Sequence, residues 1–136
     1  MEFTVKTSKR QEIVDITEKV KEAVDKLIEQ DKRRVCNKDI QACLVYIGHT
    51  TCGILINENY DEDVKQDILG FLKETVKETG WKHAEGNSDA HIKSALIGVS
   101  KIIPIDNGEL ELGKWQGILF CEFDGPRERK VVVRVV

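Results

Sequence analysis

Apolar and polar residues alternate in several short stretches of the chain, which is the pattern of half-buried β-strands. Near the N-terminus, Phe3 and Val5 alternate with polar neighbours. One face of a later predicted strand carries Cys43, Val45, Ile47 and His49. The other strand-like segments are QEIVDI, CGILINE, KIIPI, GELELG, QGILFCEF and RKVVVRVV. Short connections join many of these segments, so we expect mainly antiparallel pairing.

Longer segments show the spacing of amphipathic helices. The first begins at Thr17, a residue suited to capping, and its apolar positions are Val20, Ala23, Val24, Leu27 and Ile28. The second begins at Asp61 or Asp63, stops at Gly80 and is expected to bury Val64, Ile68, Phe71, Leu72 and Val76. A short third helix is predicted over about residues 89–98, with Asn87 or Ser88 as its cap. The pattern predicts an α+β fold, a single domain over residues 1–136 in which a mainly antiparallel sheet or sandwich packs with about three helices.

Two local features add detail to the sheet. Asp106, Asn107 and Gly108 predict a hairpin turn, because Asn and Gly tolerate positive φ. The final run, VVVRVV, is apolar on both faces. An exposed edge strand of that kind would aggregate, so we expect it to be central or covered by a neighbouring subunit. This argument favours an oligomer.

Composition narrows the class of protein. The 136 residues suit one domain, and 40% hydrophobic with 33% charged residues is typical of a globular protein. A formal net charge of −3 argues against a general nucleic-acid binder. No apolar run reaches the ~18 residues of a membrane span, and MEFTVKTSKR lacks the apolar stretch of a signal peptide. We therefore expect a cytoplasmic protein that has neither a nucleic acid nor a membrane as its partner.

The four cysteines form no C-x-x-C pair, and we expect reduced thiols. Cys43 and Cys121 lie in apolar segments, where a free cysteine behaves as a small hydrophobic residue. Cys52 lies beside a candidate polar site, and Cys36 completes the set. The P-loop, G-x-G-x-x-G and G-x-S-x-G motifs are absent, which removes the enzyme classes that depend on them.

Two of the three histidines lie within nine positions, around the start of the predicted third helix. Asp89 and His91 fall in its first turn, where the helix dipole favours a negative charge and keeps an imidazole neutral. A neutral imidazole offers the lone pair that a metal ligand or hydrogen-bond acceptor needs, and the bare N–H groups of this turn attract anions. The alternative is that both residues serve only as caps and local hydrogen-bond partners.

The three histidines together could complete an open metal site of the catalytic type, with water in the remaining position. The spacing H-x7-H between His83 and His91 matches no known metal motif. Taken alone, His49 fits better as a core histidine with one satisfied hydrogen bond.

Further polar candidates mark the two ends of a predicted strand. Trp115 and Gln116 lie at one end, and Glu122 lies at the other on an apolar face. A carboxylate on such a face needs a partner or has a raised pKa. Arg127 is the candidate partner, and the alternative to a functional role is a structural Glu–Arg pair. Two more residues that could line a pocket leave the strand near His49, namely Asn57 and Glu58.

The chain resembles the YjbQ-like family, sometimes called secondary thiamine-phosphate synthase, over nearly its whole length. The resemblance lies in HTTCGILINENYDEDV, HAEGNSDAHIKSALIGVS, IPI and GELELGKWQGILFCEFDGPRERKVVV, in order and with similar gaps. It implies an α+β homotrimer with polar motif residues near subunit boundaries. The matching positions are His49, Thr50, Gly53, Asn57, Glu58, Asn59, Asp63, His83, Asn87, Asp89, His91, Lys93, Trp115, Gln116, Glu122 and Arg127. Thr51 and Cys52 stand where the family usually has a small pair, which argues against an essential thiol.

The resemblance also implies thiamine-phosphate synthesis, which joins a pyrimidine-methyl diphosphate to a thiazole phosphate and expels diphosphate. Such chemistry usually uses Mg²⁺, whereas imidazoles suit Zn²⁺ better, so the expected divalent metal is zinc. The expected catalytic residues are His49, Asn57, Glu58, His91 and Glu122; the substrate-binding residues are Asp89, Lys93, Trp115, Gln116 and Arg127; the metal ligands are His49, His83 and His91.

The main hypothesis is therefore an enzyme that acts on a phosphorylated small molecule. The alternatives are a trimeric metal- or ligand-binding protein without turnover, a metal-dependent hydrolase in which zinc activates water, and purely structural histidines.

Overall fold

The computed structural model describes residues 1–31 and 40–136, and Cys36 lies outside these ranges. The helices are α1 (Thr17–Asp31), α2 (Glu62–Thr75) and α3 (Ser88–Ile97). The strands are β1 (Glu2–Lys6), β2 (Glu12–Asp15), β3 (Ala42–Ile47), β4 (Cys52–Glu58), β5 (Ser100–Asp106), β6 (Glu109–Leu110), β7 (Gln116–Glu122) and β8 (Glu128–Val135). No helix in the described ranges has the length and apolar character needed to cross a membrane.

The strands form two sheets, and every neighbouring pair is antiparallel in the described part of the chain. The larger sheet has five strands in the order β1-β8-β3-β5-β6, and the smaller has three in the order β2-β7-β4. β8 lies between β1 and β3, so the apolar C-terminal strand is central, as its sequence predicts. The α+β class with mainly antiparallel pairing is confirmed.

The main core lies between the two sheets and α1. It contains Val20 and Val24 of α1, Val45 of β3, Phe120 of β7 and Val133 of β8, each at most 1% exposed. The recurrence of apolar residues in the first predicted helix and their alternation in the strands are explained by this single core.

The smaller sheet is covered on its second face by α2 and α3. Cys121 and Phe123 pack there with Leu72 of α2 and Ala90 of α3. Because both faces of the sheet are covered, residues 117–122 of β7 are all buried. A polar side chain at the end of β7 must therefore find its hydrogen-bond partners inside the protein.

Local details both confirm and correct the predicted elements. The β5–β6 hairpin turns at Asn107 and Gly108, with φ of 50° and 87°. α2 ends at Thr75, before the predicted stop, and Phe71 is 66% exposed instead of buried. Leu72 occupies the inward stripe, so the residue before it, about 100° away around the helix, faces outward.

Candidate functional site

α3 is held tightly against β4, and this contact places its N-terminus beside the β7–β8 turn. Ser94 Oγ donates to the carbonyl oxygen of Cys52 at 2.7 Å. A Cβ on Gly53 would lie 2.9 Å from both the Gly98 carbonyl oxygen and Ile97 Cγ2, so glycine is needed for this approach. The motif glycine therefore has a packing role, since it sets the position of α3.

A buried ion pair lies inside α3. Asp89 and Lys93 are both fully buried, and Lys93 Nζ donates to Asp89 Oδ2 at 3.0 Å. Arg10, from the β1–β2 connection, donates to both oxygens of Asp89 at 3.0 and 3.3 Å. Burial by itself would raise the pKa of Asp89, but the hydrogen bonds from Arg10 and Lys93 outweigh it and hold the pKa below its ordinary value. Gln11, with its amide oxygen turned inward, accepts from Lys93 Nζ at 3.0 Å.

Asn87 precedes α3 but does not cap it with its side chain. Its Nδ2 donates instead to Asp124 Oδ2 at 3.1 Å, in the β7–β8 turn. Arg127 donates to the same Asp124 oxygen at 3.0 Å from Nη2 and to the Asp124 carbonyl oxygen at 2.7 Å from Nε. The guanidinium of Arg127 is anchored, yet its side chain is 54% exposed and can meet a ligand.

Glu122 does not pair with Arg127, and the predicted partner is wrong. Its carboxylate binds Arg129 at 2.6 Å (Nη2) and 2.8 Å (Nε), and both residues are buried. Arg129 follows Arg127 by two positions, and the turn directs the Arg129 side chain inward. There, Arg129 Nη2 also donates to Thr51 Oγ1 at 2.8 Å. Thr7 Oγ1 also donates to Glu122 at 3.0 Å. Both oxygens of the Glu122 carboxylate therefore accept hydrogen bonds inside the protein.

His49 lies two residues beyond the end of β3 and is half-buried, so it does not continue the core face of that strand. Its Nε2 accepts the backbone N–H of Lys130 at 3.0 Å. Partial burial, together with the nearby charge of Arg129, lowers the pKa of His49 below its ordinary value. The imidazole is therefore neutral at pH 7.

His83 and His91 come together beside the first turn of α3. Their ring centroids are 5.7 Å apart and the ring planes meet at 89°. The side chain of His83 is 44% exposed. Within residues 1–31 and 40–136, no group of three or more His, Cys, Asp or Glu side chains is arranged to hold a metal ion. One chain thus offers two neighbouring imidazoles, His83 and His91. In the described residues, His49 does not join them as a third metal ligand.

The remaining predicted residues lie at the opposite end of the small sheet. Glu58 pairs with Gln116 at one end of the β4–β7 ladder, while Cys52 pairs with Glu122 at the other. Six residue steps along a strand span about 20 Å. Asn57 and Trp115 adjoin the Gln116 end of the ladder, which we call the tryptophan end. The Glu122 end, with the adjoining β7–β8 turn and the two histidines beside the N-terminus of α3, is called the histidine end. The predicted site is therefore divided between these two ends.

The tryptophan end exposes aromatic surface. The rings of Tyr60 and Trp115 meet edge to face with centroids 5.1 Å apart, and the two residues are 82% and 49% exposed. Lys114 Nζ lies 4.9 Å from the centre of the Trp115 ring. A cleft of about 480 Å³ opens between α1 and residues 108–116, and Gln116 is among the residues that line it.

The buried thiols behave as hydrophobic residues. Cys43, Cys52 and Cys121 are free and buried. Burial raises the pKa to about 11 for Cys43 and about 12 for Cys52 and Cys121. The thiol of Cys52 is therefore protonated at neutral pH and is a poor nucleophile.

Sequence reasoning missed several residues of the histidine end. Arg129 had a usable signal, because it alternates with Val131 and Val133 and so falls on the buried face of β8. A cation in that position requires a buried acid. Arg10 and Thr7 had no such signal, since both come from a connection between strands whose position depends on the whole fold.

The family model described as UPF0047 protein YjbQ-like matches residues 1–136. The chain belongs to this family. A UPF0047 protein of Methanocaldococcus jannaschii is 46% identical over 135 residues, covering 98% of this chain and 91% of the relative. UPF0047 protein YugU of Bacillus subtilis is 42% identical over 137 residues, covering 97% and 95%.

Crystal structures of similar proteins share the fold. The structure of an uncharacterized conserved YjbQ/UPF0047 protein from Clostridium acetobutylicum has a TM-score of 0.87 at 48% identity and covers 100% of this chain and 99% of that one. A hypothetical protein from Aeropyrum pernix has a TM-score of 0.87 at 37% identity, with coverage of 100% and 96%.

Proposed function

We propose that this UPF0047 protein is an enzyme that acts on a phosphorylated small molecule at the histidine end. The observation that carries the proposal is the meeting of His83 and His91 beside a helix N-terminus without a side-chain cap. The Asn87 side chain donates to Asp124 instead of capping α3, so it leaves the N–H groups of Ser88 and Asp89 without a cap among the described residues, whereas Ala90 N donates to the Asn87 carbonyl oxygen at 3.0 Å. Uncapped N–H groups at a helix N-terminus favour an anion. Imidazoles next to a phosphate position can transfer protons to or from the reacting group.

The exposed cations of this end support binding of a phosphorylated substrate. Arg127 is held by Asp124 and remains half-exposed, and Arg10 is 41% exposed on the other side of Asp89. A guanidinium with a fixed orientation can bind phosphate oxygens in pairs. Lys93, which the sequence suggested as a phosphate ligand, is enclosed by Asp89 and Gln11 in this chain. Its part in the proposal is to hold α3 in place.

Thiamine-phosphate synthesis is the specific reaction that we propose, because the family resemblance implies it and the histidine end suits the leaving diphosphate. A pyrimidine ring needs a stacking surface, and Trp115 offers one. Trp115 lies at the opposite end of the β4–β7 ladder, about 20 Å away. Both groups serve one site only if a neighbouring copy brings its tryptophan end to this histidine end.

A homotrimer supplies such a neighbour, and the outer face of the large sheet supports association. Ile102 is 68% exposed there and pairs in register with Leu44, while Tyr46, 43% exposed, pairs with Val132. Clustered apolar residues on a sheet surface mark an interaction site. A head-to-tail ring of three copies joins unlike ends, which is the arrangement the divided site requires.

Zinc binding is the second candidate, favoured by the His83–His91 pair. Two imidazoles fit part of a zinc site better than they fit the oxygen coordination that Mg²⁺ prefers. A third ligand would come from a neighbouring copy or the substrate. A bound zinc would supply Lewis acidity or an activated water, the chemistry of a metal-dependent hydrolase. Without turnover, the same pair would make the protein a metal- or ligand-binding trimer.

The test combines turnover with metal analysis. Metal-free wild-type protein, His91→Ala and the matched surface variant Lys73→Ala are assayed for thiamine phosphate made from its two phosphorylated precursors, with and without added zinc. We expect turnover by the wild type and Lys73→Ala and its loss in His91→Ala. Stoichiometric zinc without turnover favours the binding protein. Equal metal content and equal activity in wild type and His91→Ala would refute a functional role of the histidine pair.

A further inference from the structure

The hydrogen bond between β8 and His49 determines which ring nitrogen carries the proton. The backbone N–H of Lys130 lies 3.0 Å from His49 Nε2. A backbone N–H can only donate, so Nε2 must be the unprotonated nitrogen. A neutral imidazole has one proton, and that proton is therefore on Nδ1.

The surroundings of His49 maintain this neutral form. The guanidinium of Arg129 and the ammonium of Lys130 are the nearby cations, and the Glu122 carboxylate is the nearby anion. Glu122 is already bound at both oxygens by Arg129, which limits its attraction for a second cation. A protonated ring would also lose the Lys130 hydrogen bond, because Nε2 would then carry a proton of its own.

The Nδ1 nitrogen of His49 is available to a ligand. In the described part of the chain, Nδ1 has no hydrogen-bond partner, and His49 is half-buried, not enclosed. We propose that His49 donates a hydrogen bond from Nδ1 to an oxygen of a bound phosphorylated ligand and is not a metal ligand. A metal would need the lone pair on Nε2, which the Lys130 amide already occupies. The choice of ligand rests on the function proposed above; the assignment of the proton does not.

The role differs from the one that the sequence suggested. The sequence suggested that all three histidines are metal ligands. In the structure, the histidines differ in whether a ring nitrogen already accepts a hydrogen bond from the backbone. His83 and His91 face each other, whereas His49 is used by the backbone of β8. Any metal site built here would therefore draw on His83 and His91, and loss of His49 would leave its affinity unchanged.

Two measurements test the assignment without any enzymatic assay. Long-range ¹H–¹⁵N correlation spectra of the labelled protein at neutral pH distinguish the two neutral tautomers from the cation, and His49→Asn identifies the signals. We expect the Nδ1–H tautomer. In zinc titrations, His49→Ala should bind as the wild type does. A spectrum of the Nε2–H form or of imidazolium, or zinc binding that is lost in His49→Ala, overturns the proposal.

A third measurement tests donation to phosphate oxygens. Binding of inorganic diphosphate is followed by calorimetry for wild type, His49→Ala and His49→Asn, whose amide nitrogen replaces Nδ1 as a donor. Loss of a hydrogen bond to a charged group predicts roughly tenfold weaker binding by His49→Ala, with affinity largely retained by His49→Asn. Equal binding by all three overturns the donor role. Absence of binding by the wild type counts against the proposed function, while the spectrum and the zinc titration still decide the state of His49.

Discussion

Substitution of Glu122 by glutamine removes one charge from a buried network and changes little else in shape. Oε1 accepts from Phe123 N and Asp124 N, each at 3.0 Å, and from Arg129 Nη2 at 2.6 Å. Oε2 accepts from Arg129 Nε at 2.8 Å and from Thr7 Oγ1 at 3.0 Å. A glutamine amide must turn an N–H group towards one of these sets of donors.

The expected cost is large because Arg129 stays buried without a counter-charge. Breaking a buried ion pair by removing one partner costs about 3–5 kcal/mol of unfolding free energy. For a domain of this size, that loss lowers the melting temperature by roughly 10–20 °C. The measurement is denaturant and thermal unfolding of wild type and Glu122→Gln at one fixed protein concentration, since association also stabilises the folded state.

Glu128→Gln is the matched control. Glu128 is 68% exposed in its contact with Lys6, so its loss should cost less than about 1 kcal/mol. The double variant Glu122→Gln with Arg129→Met removes both charges and should lose less stability than the sum of the two single variants. A Glu122→Gln protein within about 1 kcal/mol of wild type, or strictly additive losses, would show that this network is not the ion pair described above.

Three further changes test the site and its supports. Gly53→Ala should destabilise by about 1–3 kcal/mol, because its Cβ meets Ile97 and Gly98, whereas Gly70→Ala, with open space around it, should be neutral or stabilising in denaturant unfolding. The lowered pKa of Asp89 means that its contribution to stability is present above the unfolded pKa near 3.8 and is lost as pH falls through the folded value. Asp89→Asn should therefore flatten the acid limb of a stability–pH curve, and an unchanged limb would contradict the assignment. Cys52→Ala should keep the proposed turnover, measured as thiamine phosphate formed, because the thiol is buried and protonated. Loss of activity in a folded Cys52→Ala variant would show that the thiol takes part in the reaction.

Local patterns were sufficient for most of the fold. The alternation of buried and less buried residues in β3 and β8, the continuous apolar run in β7 and the helical spacing in α1 reflect one-sided or two-sided burial, which any compact arrangement of these elements must satisfy. The β5–β6 turn followed from Asn107 and Gly108, whose positive φ is a local property. Phe71 was wrongly predicted to be buried. Helical periodicity shows which residues share a face of the helix, but it does not show how wide the buried part of that face is.

The candidate site was only partly accessible to the same reasoning. The motif residues around α3 do gather near the β7–β8 turn, since Asn87 meets Asp124 and His83 meets His91. The partner of Glu122 was predicted as Arg127 and is Arg129. Two arginines that are two positions apart are equivalent in composition and differ only in the direction that the turn gives them.

By itself, the sequence determined the order of the elements, the core faces and the family, because each depends on residue type and spacing along the chain. The tertiary structure alone decided which charges pair inside the protein and which histidine lone pair the backbone uses. It also placed Trp115 and the histidines at opposite ends of one strand pair. These outcomes depend on contacts between residues far apart in the chain, such as Thr7 with Glu122 and His49 with Lys130. The distances and orientations of these contacts are set only when the two sheets pack around the core.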